Sequence, residues 1–185
     1  MAKGHHGGTV LQLTVGLLCL GLVVGMISQR IRQHIRDQAQ WNALTNDVTR
    51  LVPFQNAYVG DASNDYNLST QLPLGNIAHT IAIQPTHLGL EIRYQKSVGA
   101  IGAQTLRASL VYNATADFSL IGNLSSITFV FPGNSFHTTR AQVQSWYGSM
   151  PRLANRSSWN REVQQKLSGH RYVRRVFATL FDRSE

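Results

Sequence analysis

The chain has one cysteine, Cys19, placed in its most apolar stretch. That excludes an intrachain disulfide and a cysteine-based zinc site, and the apolar setting argues against a thiol nucleophile. Neither HExxH nor GxSxG occurs, so the zinc-peptidase and serine-hydrolase arrangements are not written in the sequence. "GAIGA", residues 99–103, lacks the Lys-Ser/Thr that follows a phosphate-binding loop and reads as a flexible hairpin tip. The histidines (His5, His6, His34, His79, His87, His137 and His170) are scattered, with no second histidine at helical spacing to build a metal site. Carboxylates are few, and Asp61 with Asp65 or Glu91 with Asp117 could act as a pair only if the fold made them converge. No enzyme activity, cofactor or metal is expected.

Acidic residues number 9 against 17 Lys and Arg, a net charge of +8 over 185 residues. The excess is uneven. Residues 51–137 hold Arg93, Lys96 and Arg107 against Asp61, Asp65, Glu91 and Asp117, net −1, whereas residues 138–185 hold nine basic and three acidic residues, net +6. The basic character therefore lies in the C-terminal part, and an anionic partner has to be considered. Asn, Gln, Ser and Thr total 53, about twice the charged residues, and this composition leans towards an extracytoplasmic protein.

"TVLQLTVGLLCLGLVVGMIS", Thr9 to Ser28, carries no ionisable side chain except Cys19. As a helix, its residues 10–27 rise about 27 Å, close to the ~30 Å hydrocarbon core of a bilayer. The apolar run is longer than that of a cleaved signal peptide, and Val24 to Ile27 offer a poor cleavage site. An uncleaved single-pass anchor is expected. Gly21 and Gly25 form a GxxxG pair, a candidate homodimer contact. Arg30, Arg32 and Arg36 follow the span as candidate lipid-headgroup contacts, the plainer alternative being snorkelling at a membrane boundary. Counted literally, these arginines favour a cytoplasmic C-terminal part. From Gln29 to Val52 there is no Gly or Pro, and Ile31, Ile35, Trp41, Leu44, Val48 and Leu51 recur at near-helical steps until Pro53, which predicts a stalk helix.

In "FQNAYVGDASNDYNLSTQLPLG", Gly60 and Asp61 make a turn, and Asp61 or Ser63 is a candidate cap for a short helix with Leu68 and Leu72 one turn apart, Leu74 also reaching inward and Pro73 stopping it. A calcium loop would need glycine at its sixth position and glutamate at its twelfth, where Tyr66 and Leu72 stand. Period-two patterning follows in "HTIAIQ", "LGLEIRYQ", "TLRASLVY" and "SSITFVF", which read as strands. Leu88, Leu90, Ile92 and Tyr94 point to one face, Glu91 and Arg93 to the other, as in an antiparallel sheet with one wet face. "NATADFSLIGNL" predicts a helix, and "TTRAQVQSWYG" a second begun by Thr138 or Thr139 and closed by Gly148. The tail sets Trp159, Val163, Leu167, Val173, Val176, Phe177 and Leu180 on one side, with Gly169 as an interruption. Arg161, Lys166, Arg171, Arg174 and Arg175 lie on the other as candidate contacts to an anionic partner.

The predicted fold class is α+β: an N-terminal transmembrane helix and stalk helix, then a small antiparallel sheet with packed helices. The predicted organisation is a tail 1–8, an anchor 9–28, a stalk 29–52, an extracytoplasmic domain 53–148 and a basic helical segment 149–185. Asn67, Asn113, Asn123 and Asn155 begin N-x-Ser/Thr triplets, read as chance matches in a composition rich in these residues.

"NAYVGDAS", "QLPL", "LGLEIRY", "FSLIGNLSSITF" and "TRAQVQSWYG" stand in an order and spacing that resembles a Bacillota family, the domain of unknown function 4825, over about Asn56 to Gly148. The resemblance implies attachment to the outside of the membrane by a lipid or a helix, and similar domains follow the membrane metallopeptidase of sensor proteins. It implies no established activity. His87 and Leu88 stand where the family tends to carry Pro-Tyr, which puts any role of that hairpin in doubt. The resulting expectation is a membrane-anchored binding or sensing module at the bacterial cell surface, its partners being anionic wall polymer, lipid headgroups or a membrane protein. The alternative is a cytoplasm-facing nucleic-acid binder, since "GHRYVRRVF" interleaves rings with arginines.

Overall fold

The structure, a computed structural model, describes residues 7–151 and 155–184, with side chains for residues 24–151 and 155–182. The chain divides into two units, Met1–Gln38 and Ala39–Glu185. The first consists of helix α1, Gly7–Gln40, whose last two residues belong to the second unit. The Thr9–Ser28 span assigned above is helical in its backbone, but most of it, Gly21 included, lies outside the residues whose side chains are described. Among the described residues no helix is long and apolar enough to cross a membrane.

The predicted stalk helix to Val52 is shorter than expected, because α1 ends at Gln40. Local hydrogen bonds from Asn and Gln side chains outcompete the helical ladder there. Asn42 Oδ1 accepts the Leu44 N–H at 2.9 Å, Gln40 Oε1 accepts the Asp47 N–H at 3.0 Å, and Asn46 Nδ2 donates to Gln71 O at 2.9 Å and to Gln40 O. Two single 3₁₀ turns, Val48–Arg50 and Val52–Phe54, complete the passage, and the predicted apolar positions Val48 and Leu51 are buried.

Helix α2, Ala62–Gln71, starts as the sequence predicts, with Asp61 Oδ1 accepting the Asn64 N–H at 3.1 Å. Ser63 lies inside the helix, exposed, and makes no cap. Gly60 takes φ 134°, a value that side chains resist. Leu68, Leu72 and Leu74 are buried as expected.

Strands β1 (His79–Gln84) and β2 (Gly89–Tyr94) form an antiparallel hairpin. The alternation places Leu88 in β2 on the face of Leu90, but the strand begins at Gly89. Leu88 closes a 3₁₀ turn at φ 48° and is exposed. The chain then crosses over through α3 (Val98–Ile101) and α4 (Ala103–Leu120) to β3 (Ser126–Phe131), which pairs parallel with β2, Leu90 opposite Ile127 and Ile92 opposite Phe129. A second hairpin leads to β4 (Asn134–Thr139), and β5 (Asp182–Ser184) adds a three-residue edge strand. The sheet order is β1-β2-β3-β4-β5. The sheet is therefore mixed, not antiparallel, because a parallel neighbour requires a crossover of a dozen or more residues and α3–α4 supplies it.

Two segments account for this difference. "TLRASLVY" is not a strand but part of α4, and "GAIGA" is not a hairpin tip but ends helix α3 and joins it to α4 through Gly102 at φ 91°. Helix α4 is buried on nearly every side, so its apolar residues run continuously and periodicity cannot separate a buried helix from a strand. The predicted helix at "NATADFSLIGNL" is its continuation as far as Leu120.

The sheet buries Leu90, Ile92, Tyr94, Ile127, Phe129, Phe131 and Phe136 on one face, and carries Thr80, Glu91, Arg93 and His137 on the wetter one. Helix α5 (Arg140–Tyr147) begins with the Thr139–Gln142 capping box and ends at Gly148, φ 76°. Arg140 donates to Ile121 O and Leu124 O, 2.5 and 2.7 Å, where its positive charge meets the carbonyl end of α4. Helix α6 (Arg156–Trp159) passes through a π turn and a 3₁₀ turn before Gly169 breaks the run and α7, His170–Leu180, follows. Trp159, Val163, Leu167, Val173, Val176 and Leu180 all belong to the one core, so the tail is a wall of the domain. Three of the four triplet asparagines are structural. Asn113 is buried and donates to Pro73 O at 2.8 Å, Asn123 Oδ1 accepts the Val59 N–H at 2.6 Å, and Asn155 caps α6.

Trp159 is fully buried, edge-on to Tyr112 at 5.2 Å between ring centroids. Its replacement in Trp159→Ala is expected to lower the unfolding free energy by about 3–5 kcal/mol, measured by urea denaturation; a loss under about 1 kcal/mol would mean that the tail packs less tightly than described.

Candidate functional site

The basic tail supplies the most exposed charge. On α7, Arg171, Arg174 and Arg175 follow the i, i+3, i+4 spacing that puts side chains on one helix face, opposite the buried Val173, Val176 and Leu180. Arg161 and Lys166 are exposed on the preceding turns. Arg161 has one acidic neighbour, Glu162 at 3.5 Å, and the Arg175 guanidinium lies 5.7 Å from the centroid of the Trp146 ring. Trp146 in turn donates through Nε1 to Tyr172 OH at 3.2 Å, tying α5 to α7. In the first unit Arg30, Arg32 and Arg36 are exposed along α1, Arg32 donating to Ser28 O at 3.3 Å. Gly25 is exposed, with no atom within 4 Å of the place a Cβ would take.

Neither carboxylate pairing considered from the sequence forms the buried acidic pair. Asp65 and Asp117 do, from α2 and α4. Burial raises the proton affinity of Asp117 well above the ordinary carboxylate range, and the neighbouring Asp65 adds to it. Asp65 is raised chiefly by burial, against which the Gly60 N–H at 3.1 Å acts, with Asp61 adding a smaller upward push. Asp65 Oδ1 and Asp117 Oδ2 have no hydrogen-bond partner among the described residues, so protonation supplies a donor where the fold offers none. Around them, Tyr94 is buried and its phenol is pushed up by that burial and by Asp117. His79 is held between Ile77 O at 2.7 Å and Ser69 Oγ at 2.8 Å, its ring against Tyr66 and Tyr94. The sequence hid this pair because its partners are 52 positions apart and neither sits in a motif.

Two of the clefts on the domain adjoin the sheet. One, of about 440 Å³, is lined by Arg93, Tyr94, Phe131, Pro132 and Ser135. Its Arg93 is paired with Glu91 at 2.6 Å. The other, of about 260 Å³, lies among α3, α4, β4 and α7, and shares Asn134 with the first. Neither Asp65 nor Asp117 lines either of them. Among the described residues no group of three or more His, Cys, Asp or Glu is placed to hold a metal ion.

Residues 51–142 match the family model described as Domain of unknown function (DUF4825). No curated protein and no solved structure matches the chain. The matched stretch takes in α2, the sheet from β1 to β4 and the start of α5, and stops before the basic tail.

The raised Asp117 pKa fixes a sign. The folded state holds the proton more tightly than the unfolded chain, so stability is greatest below the unfolded value of about 3.9 and falls as pH rises towards the folded pKa. Thermal melts from pH 5 to pH 8 should show Asp117→Asn losing less stability over that window than the parent chain. Parallel slopes for the two would show that Asp117 holds no extra proton in the fold.

Proposed function

Since residues 51–142 are a domain of the DUF4825 family, we propose that the chain is a membrane-tethered binding or sensing module at the bacterial cell surface, without catalytic activity, that contacts an anionic surface through its C-terminal helices. The observation that carries this reading is the exposed set of Arg161, Lys166, Arg171, Arg174 and Arg175, in which, among the described residues, Arg161 alone has an ion-pair partner, Glu162. Cations left in water attract anionic polymers or headgroups at a distance set by salt, each contributing about 1 kcal/mol near an anionic membrane. The tether rests on the apolar run of residues 10–27, and Arg30, Arg32 and Arg36 following it suit a headgroup layer. A large C-terminal domain is less governed by flanking charge than a short loop is, which leaves the extracytoplasmic placement compatible with those arginines.

A nucleic-acid role is less well supported. Binding to single strands uses aromatic rings as stacking platforms. Here Tyr172 bonds to Trp146, and Phe177 packs edge-on against Phe136 at 5.5 Å and stacks on Phe181 at 4.8 Å. The rings interleaved with the arginines are turned to the protein.

The tail cannot be removed to test this, because it completes the core. Replacing Arg161, Lys166, Arg171 and Arg174 by Gln removes charge and keeps the buried face. With the full chain held in neutral-lipid nanodiscs, this variant should float with anionic vesicles about tenfold less than the parent, and the parent's binding should fade towards 1 M salt. Equal flotation of the two would remove the tail from the model. Protease added to intact cells should digest residues 39–185; their protection would place the domain in the cytoplasm.

A further inference from the structure

The smaller cleft has the makeup of a ligand site. Its walls are Val98 from α3, Leu106 from α4, Phe136 from β4 and Phe177 from α7, the two rings meeting edge-on at 5.5 Å. Into this apolar lining α4 brings one charged residue, Arg107, half-buried. Among the described residues no acid lines the cleft, and no salt bridge or hydrogen bond is formed by Arg107. A cation drawn partly out of water without a counter-charge is costly, and an anion arriving with an apolar body offsets that cost while covering the rings. Asn134, at the rim, is a further polar lining residue, so the site has the usual composition of a small-molecule pocket: mostly apolar and aromatic, with few polar groups.

The volume limits the guest. At about 260 Å³ the cleft falls just under the ~300–1,000 Å³ of drug-sized sites, so the occupant is small. A guanidinium matches a carboxylate with two parallel N–H donors, which a neutral alcohol cannot reproduce. We propose that this cleft binds a small amphipathic carboxylate, an aryl or short alkyl acid, with its carboxylate on Arg107 and its apolar body against Phe136 and Phe177. All but one of the named wall residues fall within the matched family region, Phe177 being supplied by α7. The inference does not rest on the anionic-surface reading, since none of the five tail cations named there lines the cleft.

The test uses the full chain in neutral-lipid nanodiscs, with empty nanodiscs as the baseline, and phenylpropionate as the probe. Calorimetry should show saturable binding of phenylpropionate, and about tenfold or more weaker binding of both phenylpropanol and acetate, which lack the charge and the apolar body in turn. Arg107→Met should weaken phenylpropionate about tenfold while leaving phenylpropanol unchanged, and Arg107→Lys should restore part of the loss. A second variant guards against misfolding: a Cβ at Gly99, which lines the cleft, meets no atom within 4 Å, so a side chain can start there without strain, and Gly99→Leu should abolish binding at a melting temperature close to the parent's. Absence of saturable binding by the parent, equal affinity for the acid and the alcohol, or indifference to Arg107→Met would each overturn the proposal.

Discussion

Helix α4 has to be enclosed, and the rest of the domain is arranged around that need. From Leu106 to Leu120 almost every residue is buried, polar ones included. An all-round buried helix is stable only when other elements cover each of its sides and satisfy its side chains. The sheet presents Leu90, Ile92, Phe129 and Phe136 to the common core, while α5 and the C-terminal helices bring Val143, Trp159, Val173 and Val176 to it. Tyr112 OH donates to Asn46 Oδ1 at 2.7 Å, Thr115 to Val111 O at 2.7 Å and Ser119 to Thr115 O at 2.7 Å, so the polar residues of α4 are mostly answered within the fold. Ser109 Oγ, Asn113 Oδ1 and the Asp117 carboxyl are the exceptions, and for Asp117 neutralisation by a proton is the least costly solution for a group so deeply placed.

Enclosure of α4 also gives the two sides of the tail different tasks. The apolar side completes the core, and the charged side is left in water with few acids nearby. A matched family region that ends within α5 therefore leaves part of the core to be supplied from beyond its end. The small cleft arises at the same junction, where the short helix α3 and the start of α4 meet β4 and α7. Arg107 stands on α4 just where that helix leaves the fully buried region, which is why a cation can be tolerated there at all.

Turn and cap chemistry was legible to within a residue or two. Asp61 or Ser63 before α2, Thr138 or Thr139 before α5, Gly148 after it and Gly169 before α7 were all readable because caps and breaks act locally, and the structure selects Asp61 and Thr139, the latter in a box with Gln142. The inward and outward faces of β2 were equally plain, since Leu90, Ile92 and Tyr94 alternate with Glu91 and Arg93. The tail's apolar side was legible too, as Trp159, Val163 and Leu167 keep helical spacing through a π turn and a 3₁₀ turn. Where the reading departed from the structure, the missing information was non-local. "TLRASLVY" alternates well enough for a strand, and only burial on both sides made it helix.

The sequence by itself determined where α2 and α5 begin, where α5 stops, which face of β2 is dry, where positive charge accumulates, and that a long apolar run precedes the domain. Those properties depend on neighbours within a turn or two, or on composition. Tertiary structure alone decided that β2 and β3 lie parallel, that Asp65 and Asp117 share one buried environment, and that Arg107 shares a cleft with two phenylalanines from other elements. Each of these joins residues more than 25 positions apart, and such pairings are fixed by how the elements pack around α4, a constraint that no local pattern of side chains encodes.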